Sequence, residues 1–435
     1  MEQFLSSLDP TLLALIRVLL ILGLVLTIVP GLIWYERRLL SWMQDRIGPN
    51  RVGPFGLLQP IADGVKLFLK EDITPNSIDR FIYFLAPAVA LFPAFVLAGV
   101  LPFGPQEGVW GYLTPISNAN IGILWILAMS SLGVYGVVLA GYAANNKYSL
   151  MGGLRASAQL ISYELAMGVS LACIVLAAGS LRLTDIVVAQ EGPLWGFLPF
   201  LQNWYILTPF GFLAFVIFLI CMVAETNRAP FDLPEAENEL IAGYHTEYSS
   251  MKFAVFFMGE YAAMFIFSGV VAVMFLGGYN IVPVNWDWLA GNFPGGSEFF
   301  GFIGAINYWM APLTFIGKCA LGITFYVWLR ATLPRLRYDQ LMALGWKTLL
   351  PVAAANMVIV AAWVLMNDLA GPLISTLATV GLVVLLIGIY ALFMRVSQAR
   401  GSALERHSVS LTSGKETRRG IDMVDPGVGS GVGNP

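Results

Sequence analysis

Charged residues are scarce in this chain: Asp, Glu, Lys and Arg together make up 12% of its 435 residues, whereas hydrophobic residues make up 57%. So low a share of charge lies outside the range of water-soluble globular proteins. The formal net charge of -3 also gives no basic field that could attract nucleic acid. We therefore expect an integral membrane protein and exclude nucleic acid as a partner.

Residues that hold metals and redox cofactors are equally few. The chain has three cysteines and two histidines, and each cysteine lies inside an apolar run without CxxC spacing. Neither histidine has a partner at the spacing of a metal site. No G-x-G-x-x-G or G-x-x-x-x-G-K-[ST] motif is present to bind a nucleotide. We expect no metal site and no cofactor bound by this chain alone.

Long hydrophobic runs, in contrast, are plentiful. A membrane-spanning helix needs about 20 mostly apolar residues. Nine segments meet this requirement, near residues 12–34, 81–101, 121–142, 157–179, 207–226, 252–276, 307–330, 348–366 and 372–394. If the N-terminus lies outside, every Lys and Arg except Arg17, Arg182 and Lys318 falls on an inner segment, as the positive-inside rule requires. The predicted fold is an all-α polytopic membrane protein with nine transmembrane helices, an outer N-terminus and an inner C-terminus.

The inner segment between the first two spans contains an amphipathic pattern. Apolar residues recur at helical spacing in PFGLLQPIADGVKLFLKED, and polar residues form the opposite stripe. The apolar stripe is Leu58, Ile61, Val65 and Phe68, and the polar stripe is Gln59, Asp63, Lys66 and Lys70. The segment is too short and too polar to cross the membrane. The pattern alone favours a helix on the membrane surface over a helix that lines a cavity.

Few ionisable residues fall inside the predicted spans, and burying a charge in a bilayer costs at least a few kcal/mol. They are Glu164, Glu260 and Lys318, with Glu36 and Glu225 near inner helix ends. At 1.5 Å per residue, the first three lie about 12 to 18 Å from the inner ends of their helices. A Glu–Lys pair that only fixes helix packing is one interpretation. Three acidic positions served by one lysine instead favour a proton relay.

The segment AETNRAPFDLPEAENEL, residues 224–240, concentrates charge in an otherwise apolar chain. Its charged residues are Glu225, Arg228, Asp232, Glu235, Glu237 and Glu239. A solvated acidic loop is the usual interpretation of such a cluster. Two prolines stiffen the segment and place apolar residues among the carboxylates, which favours a folded loop at the inner mouth of the relay.

Two long segments carry a family resemblance. YERRLLSWMQDRIGPNRVGPFGLLQPIADGVKLFLKE, residues 35–71, and AETNRAPFDLPEAENELIAGYHTEYSSMKFAVFFMGEY, residues 224–261, closely resemble two signature stretches of the H subunit of proton-translocating NADH-quinone oxidoreductase, respiratory complex I. The mitochondrial counterpart is subunit 1 of NADH dehydrogenase. The stretches stand in the family's order, and the hydropathy pattern agrees over about residues 1–345.

The resemblance implies a membrane subunit that forms much of a quinone-binding chamber. It assigns to the chamber and its entrance Glu36, Arg37, Arg46 and Asp63, with Phe55 and Leu58 against the quinone tail. The polar stripe of the amphipathic helix would then face the cavity. The resemblance also places Glu164, Glu225 and Glu260 in a buried acidic path, and Lys318 completes the predicted relay. The remaining acids form a coupling loop beside the chamber, with Arg228 as its counter-charge: Asp232, Glu235, Glu237 and Glu239.

The implied partners are the quinone-site subunits of the hydrophilic arm, neighbouring membrane subunits, quinone as substrate and the lipid bilayer. Iron–sulfur clusters and flavin belong to partner subunits. The family domain is expected to span residues 1–366 with eight helices. A ninth helix is expected at 367–395, and a polar tail that is expected to be disordered on the inner side follows at 396–435. Both depart from the shortest family members. They favour a bacterial plasma membrane over a mitochondrial inner membrane.

The expected function is the coupling of quinone reduction to proton translocation, as part of an enzyme that this chain does not complete alone. Two alternatives belong to other classes. A secondary transporter is typically built from broken helices in paired repeats, which the sequence lacks. A structural anchor for a peripheral complex would need the inner loops but no ionisable residues in the middle of its helices.

Overall fold

A computed structural model describes residues 9–232, 242–292, 297–392 and 395. Within these residues the regular structure is helical apart from one short antiparallel hairpin, β1 (Pro193–Leu194) and β2 (Leu198–Gln202). The helices are α1 Pro10–Met43, α2 Gln59–Leu69, α3 Arg80–Ala98, α4 Gly108–Leu113, α5 Gly122–Ala143, α6 Lys147–Ala178, α7 Leu183–Gln190, α8 Pro209–Glu225, α9 Ser250–Phe275, α10 Trp286–Asn292, α11 Ser297–Thr332, α12 Tyr338–Ala343, α13 Leu350–Ala370 and α14 Pro372–Leu392.

Eight helical stretches in this part of the chain are long and apolar enough to cross a membrane. They are α1, α3, α5, α6, α9, α11, α14 and the continuous stretch Tyr338–Ala370, in which a π-helical turn joins α12 to α13. Each overlaps one predicted span. The remaining predicted span, 207–226, corresponds to α8, which has 17 residues and is about 26 Å long. The chain is therefore an all-α polytopic membrane protein, and the count of nine crossings and the orientation stay predictions.

Helix α6 shows why apolar windows misplace helix ends. The window predicted a start near residue 157, whereas the helix begins at Lys147 after the N-cap residue Asn146, whose side chain accepts a hydrogen bond from the Tyr148 amide at 3.1 Å. It ends at Ala178, one residue before the predicted end, and the C-cap residue Gly179 has a φ of 72° in the left-handed region. The first ten residues, KYSLMGGLRA, are less apolar but remain helical. A capping residue, rather than hydropathy, marks the start of this helix.

Small residues allow close approach between helices, as is common in membrane bundles. Gly136 of α5 packs directly on the backbone of α3, and a Cβ atom added to it would lie 2.6 Å from the Ala90 nitrogen. Gly152 of α6 packs in the same way on Gly243. These contacts fix α3, α5 and α6 around the residues described below.

We predict that Gly136→Leu forces α3 and α5 apart and destabilises the protein by about 1–3 kcal/mol or more, since backbone atoms cannot rotate away. Gly23→Leu is the matched control, because an added Cβ at this exposed position of α1 meets no atom within 4 Å. The measurement is the melting temperature of the purified membrane assembly. Equal melting temperatures for the two variants would contradict the close packing of α3 on α5.

By its contacts the chain divides into two compact units, and the boundary along the chain falls between Val380 and Gly381. All of the residues discussed below belong to the first unit. The described part of the second unit is the C-terminal half of α14 and residue 395.

Candidate functional site

Asp63 of the polar stripe of α2 faces the C-terminal part of α1, whereas Lys66 and Lys70 of the same stripe are exposed. Arg37 of α1 forms an ion pair with Asp63 of α2, with 2.6 Å between Nη1 and Oδ2. Gln59 donates a hydrogen bond from Nε2 to the other oxygen of Asp63 at 3.3 Å. The apolar residues of the helix are exposed instead, Leu58 at 44% and Phe68 at 73%. The structure therefore brings Arg37 and Asp63 together and leaves the apolar face of α2 uncovered in this chain.

Glu36 precedes Arg37 but is buried, with 4% of its surface exposed. It accepts a hydrogen bond from the Tyr261 hydroxyl of α9 at 2.7 Å, and it forms an ion pair with Arg330 in the last turn of α11. Burying a carboxylate without such partners would carry a large desolvation cost. Glu36 therefore ties α1 to both α9 and α11.

The loop between α1 and α2 holds the other predicted chamber residues. Phe55 is 75% exposed, and its carbonyl accepts a hydrogen bond from the Trp34 indole at 3.1 Å. Gly56 has a φ of 76°, and an added Cβ would lie 2.2 Å from the Pro49 carbonyl oxygen, so only glycine fits. Arg46 donates a hydrogen bond to the Gln44 side chain at 2.7 Å. It lines a crevice of about 320 Å³ whose wall does not include Phe55 or Asp63. Phe55 thus projects an apolar ring from a tightly built turn.

Glu260 of α9 lies among residues from the other signature segment. The Arg228 Nη2 atom is 3.9 Å from its Oε2, and the Tyr244 hydroxyl donates to its Oε1 at 3.1 Å. The Arg228 guanidinium also lies over the ring of Tyr261, 4.4 Å from the ring centre. Because the Tyr261 hydroxyl binds Glu36, this tyrosine connects the Glu36 group to the Glu260 group.

Glu225 and Glu164 extend this arrangement. Glu164 of α6 accepts hydrogen bonds from Ser130 at 3.2 Å and from Ser131, both on α5. The Oε2 atom of Glu225 is buried and has no hydrogen-bond partner within residues 9–232, 242–292 and 297–392. Glu225 also interacts electrostatically with Glu164. The structure thus brings together the three acids that the sequence assigned to a relay.

A cavity of about 100 Å³ joins these groups. Its wall includes Glu225, Glu260, Ser130 and Tyr244. Because a water molecule occupies about 30 Å³ of liquid and needs two to four polar partners, this space can hold a few waters. Water could therefore connect Glu225, Glu260 and the serine that binds Glu164 without any movement of the helices.

Gln159 of α6 holds the start of the charged segment in place. This fully buried side chain donates from Nε2 to the carbonyl oxygens of Ala224 at 2.8 Å and Phe231 at 2.9 Å. It also approaches the Asn227 side chain at 3.4 Å, and the backbone of Asn227 has a φ of 50°. One amide thus fixes the end of α8 and the turn that carries Arg228.

We predict that Gln159→Leu loosens this segment by about 1–3 kcal/mol, because two buried carbonyls lose their donor. Faster hydrogen exchange of amides in residues 224–231, measured in the assembled complex, is the expected result. Gln106→Leu, at an exposed position before α4, is the control and should leave that exchange unchanged. Unchanged exchange in Gln159→Leu would show that other contacts hold the segment.

Lys318 lies apart from the three carboxylates. The expectation that it lies at the same depth as Glu164 and Glu260 is therefore wrong. Its ammonium donates to the carbonyl oxygens of Leu276 and, at 3.0 Å, of Gly278, and it lies 4.2 Å from the centre of a ring of Trp204. Leu276 is about 24 Å along α9 from Glu260. The long side chain caps the carbonyl end of α9, where the helix dipole favours a cation. The structure thus does not bring Lys318 to the predicted relay.

Part of the predicted coupling loop can be located. Asp232 forms an ion pair with Arg335, 2.8 Å from Nη2, while Arg228 contacts Glu260. The Leu336 amide also donates to the Pro230 carbonyl at 3.1 Å. The segment therefore docks against the chain that follows α11. The other loop acids, Glu235, Glu237 and Glu239, lie outside the described residues.

His245 contributes no charge to this region at neutral pH. It is buried, with 5% of its surface exposed, and its ring lies 4.2 Å from that of Tyr244. Burial lowers the pKa of His245 to about 4, and the nearby charge of Asp232 opposes this shift only in part. The neutral imidazole is therefore a packing partner of Tyr244.

Several residues of the site were not singled out from the sequence. They are Arg330, Tyr261, Tyr244, Ser130, Ser131, Gln159 and Arg335. Tyr244 and Tyr261 lie inside a quoted signature segment, so their place in that segment was an available signal. The serines and Gln159 carry no charge, and nothing in the sequence distinguishes them from helix-packing residues. Among the described residues, no group of three His, Cys, Asp or Glu side chains could hold a metal ion.

Comparison with known proteins identifies relatives over most of the chain. The model of the NADH dehydrogenase family matches residues 16–361. A protein of Geobacter metallireducens, named as an H subunit of NADH-quinone oxidoreductase, is 47% identical over 355 residues, which cover 81% of this chain and 96% of the relative. A protein of Geobacter sulfurreducens, also named as an H subunit, is 46% identical over 80% of this chain and 95% of the relative. One of Koribacter versatilis, also named as an H subunit, is 45% identical over 81% of this chain and 97% of the relative.

Proposed function

Because the chain belongs to the NADH dehydrogenase family, with relatives named as H subunits of NADH-quinone oxidoreductase, we propose that it couples quinone reduction to proton translocation within that enzyme. It acts as one membrane subunit of the complex. Electrons reach quinone from an iron–sulfur cluster in a partner subunit, and flavin belongs to another partner. The isolated chain therefore performs no complete reaction.

The observation that carries this proposal is a continuous series of contacts between the two signature segments. Glu36 binds the Tyr261 hydroxyl, the Tyr261 ring contacts Arg228, and Arg228 lies beside Glu260. Glu260 and Glu225 then share the 100 Å³ cavity. A change of charge near Glu36 can therefore alter the electrostatic energy of Glu260 and Glu225, which lie further along this series of contacts.

We assign the quinone chamber to the surface around the inner parts of α1 and α2. Arg37 and Asp63 present a polar pair there, and Phe55 and Leu58 present exposed apolar side chains suited to an isoprenoid tail. Glu36 flanks this surface from the buried side, and Arg46 flanks it in the neighbouring crevice. Subunits of the hydrophilic arm would cover the exposed apolar face of α2 and close the chamber.

The proposed coupling is electrostatic. Quinone that receives two electrons must draw protons, and the transient negative charge favours protonation of nearby carboxylates. The effect passes from Glu36 through Tyr261 and Arg228 to Glu260, and through the cavity to Glu225 and Glu164. Neighbouring membrane subunits would receive this change and move the protons. The acids of the loop at 232–239 belong to the same coupling region.

The topology completes the proposal. We propose nine transmembrane helices, in which α8 is the short one, with the N-terminus outside and the C-terminus inside a bacterial plasma membrane. Residues 1–366 form the family domain and 367–395 add a peripheral helix, while the tail expected at 396–435 lies outside the described residues. Because the family match ends at residue 361, we assign no role in coupling to the residues after it.

The chamber assignment is tested by Asp63→Asn, which removes the charge that holds Arg37. We expect the KM for quinone to rise about fivefold, equivalent to ~1 kcal/mol, because the pair is partly exposed and screened by solvent. Asp339→Asn, at an exposed position of α12, is the control and should leave the KM unchanged. Steady-state kinetics of the intact complex with a soluble quinone provide the measurement. An unchanged KM in both variants would exclude Asp63 from the chamber.

A further inference from the structure

Two neighbouring serines of α5, Ser130 and Ser131, are the hydrogen-bond donors of Glu164 within the residues that the structure describes. Both hydroxyls donate to the same carboxylate oxygen, Oε1, and the distance from Ser130 is 3.2 Å. The ion pairs among the described residues do not include Glu164, whereas Glu36 and Glu260 each lie beside an arginine. Glu164 is therefore held by hydroxyl groups rather than by a cation.

Each of these hydroxyls has a second acceptor. The Oγ atoms of Ser130 and Ser131 both lie 2.9 Å from the carbonyl oxygen of Leu127, one turn earlier in α5. A serine hydroxyl has one hydrogen, so it donates either to Glu164 or to Leu127 at a given moment, while its oxygen can still accept a hydrogen bond. Either serine can thus donate to a charged Glu164 and turn to Leu127 when Glu164 takes up a proton.

The two serines differ in their access to the 100 Å³ cavity. Among the described residues that form its wall, Ser130 is present, whereas Ser131 and Glu164 are not. Glu225 and Glu260 belong to the same wall. Ser130 is buried, with 7% of its surface exposed. Within the described part of the chain, Ser130 is therefore the hydrogen-bonding group that contacts both the cavity and Glu164.

We propose that Ser130 passes protons between the cavity and Glu164, an inference that rests on the coupling role proposed above. Glu225 or Glu260 releases a proton to water in the cavity, and that water gives a proton to the Oγ atom of Ser130. The hydroxyl hydrogen of Ser130 moves at the same time to Oε1 of Glu164. One O–H bond forms and one breaks at Ser130, so the serine stays neutral, and Glu164 gains the proton that the other acid loses.

The Leu127 carbonyl completes the cycle. After the transfer, the new hydroxyl hydrogen of Ser130 points to the cavity, and Glu164 is neutral. The hydroxyl then turns to the Leu127 carbonyl, which keeps it hydrogen-bonded until Glu164 is charged again. A second acceptor within reach removes the cost of leaving a buried hydroxyl without a partner during this step.

Ser131 is a positioning residue in this proposal, because it binds the same oxygen of Glu164 but does not reach the cavity. The chain therefore supplies a matched pair of variants. Ser130→Ala and Ser131→Ala each remove one hydroxyl that contacts both Glu164 and Leu127. Only the first of these variants removes the hydroxyl at the cavity wall.

The test follows the infrared carboxyl band of Glu164 in the intact complex, resolved in time after rapid reduction of quinone. The band is identified by its loss in Glu164→Gln. We expect Ser130→Ala to slow its appearance about 100-fold or more, the usual contribution of a positioned proton-transfer group. Ser131→Ala should slow it about fivefold or less, the effect of one hydrogen bond. Ser130→Thr keeps a hydroxyl and should stay within about fivefold of the wild-type rate.

Three results would overturn the proposal. Equal rates in the wild-type complex and in Ser130→Ala would show that Glu164 receives its proton from its partly exposed side. Equal slowing by Ser130→Ala and Ser131→Ala would show that both serines only hold Glu164 in place. A wild-type complex without any band that depends on Glu164 would contradict the coupling role itself, and the proton transfer with it. A lower yield of a variant complex reduces the amplitude of the band but not its rate.

Discussion

Glu260→Gln is expected to lower quinone-coupled proton translocation about tenfold or more while the complex still assembles. Glutamine keeps the size of the side chain and an oxygen for the Tyr244 hydroxyl, but it has no charge for Arg228 and cannot take up a proton. The Tyr244 hydroxyl then binds a neutral amide oxygen, and a hydrogen bond to a charged group is worth about 1.5–3 kcal/mol, which corresponds to about 10-fold or more in rate. The measurement is proton uptake by reconstituted vesicles, relative to quinone reduction in the same sample.

Glu298→Gln is the matched control for this substitution. Glu298 is an exposed carboxylate in the first turn of α11, away from the acidic cavity, and its loss should leave translocation unchanged. An intact complex that pumps normally with Glu260→Gln would favour a structural anchor. Transport of a solute by the purified chain in liposomes would instead favour a secondary transporter.

Glu36→Gln is expected to slow quinone reduction itself by about tenfold or more. The substitution removes the charge that pairs with Arg330, while the glutamine oxygen can still accept from Tyr261. Arg330 is 45% exposed, so solvent screens the pair, and the expected cost is about 1.5–3 kcal/mol rather than that of a fully buried pair. Quinone reductase turnover of the intact complex is the measurement.

A double-mutant cycle separates this pair from unrelated damage. If Glu36 and Arg330 act through each other, the Glu36→Gln and Arg330→Gln double variant should be about as slow as Glu36→Gln alone. Multiplied losses in the double variant would show that the two residues act independently. Tyr261→Phe serves as a further comparison, because it removes the hydroxyl that binds Glu36 but keeps the ring that contacts Arg228.

The positions of the spans could be predicted from the sequence because the length of an apolar run is a local property. All nine predicted segments overlap helices, although α8 is shorter than the other eight stretches. The start of α6 was not predicted, since Asn146 marks it through capping rather than hydropathy, whereas its end was predicted to within one residue. The charged loop could be located in the sequence, but its pairing of Asp232 with Arg335 depends on contacts between distant segments.

The acidic group could be predicted only in part. Depth along each helix indicated that Glu164 and Glu260 lie at similar levels, and the structure brings both near Glu225. The same reasoning failed for Lys318, because the register of α11 against α9 places Gly322 beside Ser268, and from there the Lys318 ammonium reaches the carbonyls beyond the end of α9. Tyr261 carries no charge, so nothing in its residue type indicated that it connects Glu36 to Arg228.

The proposed coupling requires that reduction of quinone changes the protonation of the acids around the cavity. Redox-induced infrared difference spectra of the intact complex detect such a change as a carboxyl band. We expect a band that is present in the wild-type complex, is lost in Glu225→Gln and Glu260→Gln, and persists in Glu298→Gln. Identical carboxyl bands in all four proteins would contradict the coupling of these acids to quinone.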